Sequence, residues 1–285
     1  LTMPDPVRLA AGETLVDGDA AKGERVFWAG GCASCHAAPG STDDARLVLA
    51  GGLALKTPFG TFHAPNISSD SEAGIGAWTP LDFVNAMQRG LSPEGEHLYP
   101  SFPYASYAHM AQADVLDLHA YLKTLPASDT ASIPHDLPFP VSIRRGLGLW
   151  KLLHLDPTPV IDVSNDAELL RGQALVEGMG HCGECHTPRG VTGGMDRTRW
   201  LAGGPAPETG GKEVPNITPH ENGFGDWSAA EIEEVLTTGF TPDFDSLGGS
   251  MAEVVENLAR LPKEDRAAIA AYLKAIPPVA SAPTP

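Results

Sequence analysis

Two five-residue runs carry the densest chemistry in this chain: Cys32-Ala33-Ser34-Cys35-His36 and Cys182-Gly183-Glu184-Cys185-His186. Each is a C-x-x-C-H, the spacing at which two thiols add to the two vinyl groups of a porphyrin. The histidine that follows is then held under the iron as an axial ligand. A zinc half-site or a redox dithiol would also use two nearby cysteines. Neither accounts for a histidine after the second cysteine, twice. The two runs contain all four cysteines, so none remains for a disulfide. The expected cofactors are two covalently bound haem c groups, held by Cys32, Cys35, Cys182 and Cys185, with His36 and His186 on the irons.

A haem ligated on one side has a sixth position to fill. A methionine sulfur there raises the potential and suits electron transfer, a second histidine lowers it, and an open site lets small molecules react. The chain has six methionines. Met251 stands on the segment before the last helix, 12 residues after Gly239. Counting 12 residues from Gly90 in the first half reaches Phe102, which cannot bind iron. Met110, just before a helix, is the expected replacement, with His63, His97 and His109 as alternatives. Met87, Met179 and Met195 read as packing residues.

The elements that position these groups occur twice. A helical stretch with a glycine, Gly23 or Gly172, precedes each motif. Pro-Asn-Ile follows at 65–67 and 215–217, 33 residues from the first cysteine in both halves. Trp78 and Trp227 come next, each 12 residues before a glycine, and Tyr-Leu-Lys closes each half at 121–123 and 272–274. Thr79-Pro80-Leu81-Asp82 and Ser228-Ala229-Ala230-Glu231 read as helix starts. Gly90 and Gly239 read as helix ends. Val115, Leu118, Leu122 and Leu125, then Ile269, Leu273 and Ile276, have helical spacing. No alternating run is long enough for a substantial sheet.

Together these features resemble the class I cytochrome c family, and more narrowly the cytochrome c subunits of membrane-bound alcohol and sugar-acid dehydrogenases. The resemblance implies an all-α protein of two tandem domains, each wrapped around one haem. It implies a crossing of first and last helices, Gly23 and Phe27 against Tyr121, and Gly172 and Val176 against Tyr272. It also implies a ligating methionine where Phe102 stands, and a proline carbonyl (Pro188, with Pro39 one residue further out) accepting the histidine ring N–H. Asn66 and Asn216 are expected to bond a haem propionate, to pin the ligand loop or simply to form a turn. Trp78 and Trp227 are expected beside a haem or its propionate.

The expected domains are 1–125 and 166–285, the latter with a disordered tail. Between them lies a proline-rich linker, 126–165, whose short amphipathic helix would pack between the domains or dock elsewhere. Lysine plus arginine total 19 against 36 acidic residues, a net charge of −17. Such a chain is no partner for nucleic acid. It suits a redox partner with a basic docking face. There is no apolar run of membrane length and no visible leader. Covalent haem implies export, so the expected form is a trimmed periplasmic protein, monomeric. The function expected is single-electron transfer between a dehydrogenase or quinol-oxidising complex and a terminal acceptor. Two alternatives stay open: a dihaem oxidoreductase, peroxidase-like or acting on sulfur compounds, with an open first haem, and a fixed subunit of a larger dehydrogenase.

Overall fold

A computed structural model describes residues 2–163, 165–205 and 213–281. The chain divides into two compact units, Leu1–Pro157 and Thr158–Pro285. Unit 1 contains α1 (Ala20–Ala29), α2 (Cys32–His36), α3 (Pro80–Arg89), α4 (Tyr104–Tyr107), α5 (Gln112–Leu122) and α6 (Leu147–His154). Unit 2 contains α7 (Ala167–Gln173), α8 (Gly183–His186), α9 (Ala229–Thr238), α10 (Ser250–Leu258) and α11 (Lys263–Ala275). The fold is mostly helical. Two antiparallel ribbons, absent from the sequence reading, complete it: β1 (Ala54–Thr57) with β2 (Gly60–His63), and β3 (Gly204–Pro205) with β4 (Glu213–Val214).

The helix starts follow their sequence signals. Thr79 accepts from the Asp82 N–H while the Asp82 carboxylate accepts from the Thr79 N–H, a reciprocal cap, and Ser228 with Glu231 repeats it. Gly90 and Gly239 end these helices in the left-handed region.

In each unit the first and last helices cross at a glycine. A Cβ on Gly23 would overlap the Asp117 carbonyl and lie 2.8 Å from Tyr121 Cβ. One on Gly172 would overlap the Ala268 carbonyl and lie 2.7 Å from Tyr272 Cβ. Phe27 packs on Tyr121 with ring centroids 5.2 Å apart. The two crossings differ in chemistry. Past Gln173 the helix widens to a π-turn over Ala174–Met179, which carries buried Glu177. That carboxylate accepts from the Val160 N–H (2.8 Å), the Ile161 N–H (3.1 Å), Gln173 Nε2 (3.0 Å) and the Tyr272 hydroxyl (2.6 Å). Four donors satisfy a charge that would otherwise be costly to bury.

The stretch read as a linker belongs largely to unit 1, and the boundary falls at Pro157 rather than at a free connector. Ser128 and Thr130 carbonyls accept from Asn66 Nδ2, Asp136 pairs with Thr61, and Val141 O accepts from the Tyr99 hydroxyl. On α6, Lys151 Nζ donates to the carbonyls of Arg89 and Gly90, both at 2.6 Å, and so caps the end of α3. The segment is held because it supplies acceptors and donors to loops that lack their own. The tail expected to be disordered is engaged as far as Ser281, where Val279 O and Ser281 Oγ take hydrogen bonds from Asn216. Its remainder, 282–285, lies outside the described residues. Among the described residues, no helix is long and apolar enough to cross a membrane.

Candidate functional site

Each C-x-x-C-H lies on a one-turn helix just after the long first helix of its unit, α2 in one and α8 in the other. Burial pushes the Cys32 thiol up to about 12, with the neighbouring Cys35 adding to it, and the Cys182 thiol up to about 11. At these two positions burial favours the neutral thiol over the thiolate. Among the described residues no cluster of three or more His, Cys, Asp and Glu side chains could hold a bare metal ion.

The two histidines are oriented identically. His36 Nδ1 donates to the Pro65 carbonyl at 2.9 Å, and His186 Nδ1 to the Pro215 carbonyl at 2.8 Å. A carbonyl can only accept, so each Nδ1 carries the proton and Nε2 keeps its lone pair. Burial also lowers both histidine pKa values, with the proline carbonyl acting against it. A neutral ring with one nitrogen anchored and the other bare is the form an axial ligand requires. This corrects the expected acceptors. Pro188 O takes the Asp196 N–H instead, and the ring partners are the prolines of Pro-Asn-Ile, 29 residues from each histidine. The shared spacing of that motif was the available signal.

Asn66 and Asn216 are buried and serve as pins. Each side-chain oxygen accepts from the backbone N–H two residues on, at 2.8 Å, from Ser68 or Thr218. Each Nδ2 donates to the segment after the closing helix: Ser128 and Thr130 carbonyls in unit 1, Val279 O and Ser281 Oγ in unit 2. Each amide thus closes a local turn and ties the Pro-Asn-Ile segment to the stretch after the closing helix. Trp78 and Trp227 are half-buried, the latter stacked on Phe224 at 4.8 Å.

The residues offered for the sixth positions separate by their partners. His97 uses both ring nitrogens, Nε2 with the Thr2 carbonyl (3.1 Å) and Nδ1 with Lys151 Nζ (3.0 Å). It is thereby withdrawn as a ligand. His63 has a buried Nδ1 without a hydrogen-bond partner, but its strand leads directly into Pro65, on the side of the His36 ring. Phe102 packs against Tyr107 at 5.5 Å. Met110 is buried, with its backbone tied by Gln88 Nε2 (to its carbonyl, 2.8 Å) and by the Tyr107 carbonyl. His109 precedes it by one residue. Met251 is the second residue of α10 and half-buried.

Two residues missed in the sequence lie beside the second motif. A Cβ on Gly183 would overlap the Trp200 ring, so Trp200 walls the motif. Its neighbour Arg199 keeps Nη2 buried without a partner. A guanidinium nitrogen left unsatisfied at this place fits the carboxylate of a haem propionate. With two cysteines in each motif and oriented imidazoles, the residues present fit the group their motifs imply.

Comparison with known proteins agrees. Residues 20–126 match the cytochrome c family. The chain is 57% identical over 282 residues to a "Diheme cytochrome c-type" protein of Cereibacter sphaeroides, covering 98% of this chain and 93% of that one. It is 36% identical over 261 residues to the fructose dehydrogenase cytochrome subunit of Gluconobacter japonicus, covering 90% of this chain and 52% of the subunit. It is 35% identical over 269 residues to the gluconate 2-dehydrogenase cytochrome c subunit of Pantoea cypripedii, covering 90% and 59%. The chain thus spans little more than half the length of these two subunits.

Proposed function

The chain belongs to the dihaem c-type cytochromes, and from that membership we propose that each unit is a class I cytochrome c domain built around one haem. The protein carries two haem c groups and transfers electrons. Bound haem supplies an iron that takes up and gives back one electron at a time.

The chain's own residues determine how it does so. Cys32 and Cys35, and Cys182 and Cys185, hold the porphyrins by thioether links. His36 and His186, their rings fixed by Pro65 and Pro215 with Nε2 left bare, would bind the irons. Met251 in unit 2 and Met110 in unit 1 would supply the sulfur ligands to the bound haems. Methionine sulfur favours the reduced state, and burial excludes water from a site that must change charge without rearranging. The protein acts as a carrier rather than as an enzyme, in the periplasm. Its donor is a dehydrogenase or quinol-oxidising complex, and its acceptor another redox protein. The dehydrogenase subunits among its relatives support the donor class.

The matched His–Pro carbonyl pairs carry this reading, because both units prepare the same ligand in the same protonation state. The two surroundings are unlike, with Phe102 standing where unit 2 has Met251. A potentiometric titration of the full holoprotein should resolve two one-electron components with different midpoints. A single component for both haems would contradict the assignment.

A further inference from the structure

The duplicated units contain the same hairpin, and among the described residues only the copy in unit 1 is covered. In unit 1 it runs from Gly90 to Leu98. The Leu98 N–H donates to Gly90 O (2.7 Å), Ser92 N–H to Glu96 O (2.9 Å) and Gly95 N–H to Ser92 O (2.9 Å). In unit 2 it runs from Gly239 to Leu247. There the Leu247 N–H donates to Gly239 O (2.8 Å), Thr241 N–H to Asp245 O (2.8 Å) and Phe244 N–H to Thr241 O (2.9 Å). Leu91 therefore corresponds to Phe240, and Gly95 to Phe244.

The unit 1 hairpin lies beneath a strap. Lys151 holds Gly90 O, Arg144 Nη1 donates to His97 O (2.9 Å), and Thr2 O meets His97. Leu91 is only 2% exposed. In unit 2 Phe240 is 57% exposed and Phe244, at the tip, 91% exposed. Phe244 also sits at φ +63°, a left-handed conformation that bulky side chains avoid, whereas unit 1 has Gly95 there at φ +79°. A strained aromatic in open solvent contributes nothing to folding of this unit. It costs stability, as residues kept for a contact do.

We propose that the 239–254 face of unit 2 is a docking surface for a redox protein with an apolar centre and a basic rim. The proposal rests on the carrier reading above and says where the carrier is met. Phe240 and Phe244 form the apolar centre. Exposed Asp243 and Asp245 flank the tip, and exposed Glu253 lies on α10 two residues from Met251. From Ser228 to Ala259 the sequence has seven acidic residues and no lysine or arginine. Of these Glu233 is engaged with Arg266 (3.4 Å). An acidic ring around exposed aromatics selects a cationic partner and repels a second copy of a chain whose net charge is −17. The hairpin leads into α10, which carries Met251 as its second residue, so a partner seated here lies beside the methionine proposed as a ligand. One electron passes from the reduced carrier to an oxidised partner, with no bond made or broken.

The test uses the full holoprotein and mitochondrial-type cytochrome c, a small basic redox protein, as probe. Binding is measured by titration calorimetry at low and high ionic strength, and electron transfer from the reduced carrier by stopped flow. Phe244→Gly installs the residue unit 1 has here and relieves the strain, so misfolding would not explain its effect. It should weaken binding at both ionic strengths. Asp243→Asn with Asp245→Asn should weaken binding about tenfold at low ionic strength and flatten its salt dependence. Glu94→Gln, on the covered hairpin, should leave both readouts unchanged. Loop variants that bind and react like the parent, while the parent exchanges electrons freely with ferricyanide, would overturn the docking surface alone. A parent that ferricyanide cannot reoxidise would overturn the carrier reading as well. A concentration-dependent dimer abolished by Phe244→Gly would make a second copy the occupant and contradict the basic partner.

Discussion

At the scale of single residues, the account turns on which atom each side chain leaves available. The rings of His36 and His186 are each fixed by a carbonyl 29 residues away, which supports the ligand role proposed for them. No local rule could find those carbonyls, because the hydrogen bonds cross a loop whose path depends on tertiary structure. The motif histidines were legible, since the thioether chemistry demands adjacency. The resemblance placed the acceptor at Pro188, whereas the ring of His186 donates to Pro215 and the Pro188 carbonyl takes the Asp196 N–H. His119 gives a test of burial. It stacks on Phe83 at 4.9 Å, and burial lowers its pKa from 6.5 to about 4, with Lys123 adding to the effect. Between those values the unfolded chain binds a proton that the fold refuses. Stability is therefore full above 6.5 and falls as pH drops toward 4. Urea midpoints measured across this window should decline in the parent, and the decline should be shallower in His119→Phe. Parallel declines in both proteins would contradict the argument.

Elements show how two copies of one plan were stabilised differently. Capping signals and the helix-crossing glycines were readable because they are local or periodic. The strap over unit 1 was not. Its hold on the unit depends on backbone acceptors, at Arg89, Gly90 and Ser128, that any sequence could supply. Lys151 is the sharpest case. Burial pushes it down from 10.5 to about 7, while the two carbonyls that end α3 and the face of Tyr104, 4.9 Å away, favour the ammonium. Lys151→Met keeps the stem and removes the donors. It should cost about 1–3 kcal/mol, because two buried carbonyls lose a partner. A thermal melt should show a midpoint several degrees lower, and an unchanged midpoint would contradict the capping role. In unit 2 the corresponding investment is the Glu177 hub, which joins the π-turn, the Val160–Ile161 entry and Tyr272.

For the whole molecule, duplication made the chain interpretable from sequence, and the two copies have diverged around their motifs. Unit 1 has Phe102 at the place of Met251 and a covered hairpin; unit 2 has the sulfur and an open acidic one. On the reading proposed above, these differences would make the two haems unequal and give the carrier one favoured face. All of this requires a methionine sulfur on each iron. The direct measurement is the sulfur-to-iron charge-transfer band of the oxidised holoprotein, quantified per haem, in the parent and in Met110→Leu and Met251→Leu, changes that keep side-chain volume. The expected result is two equivalents in the parent and one in each variant. One equivalent in the parent, lost only with Met251, would show that Met110 is a packing residue and would contradict the ligation proposed for unit 1.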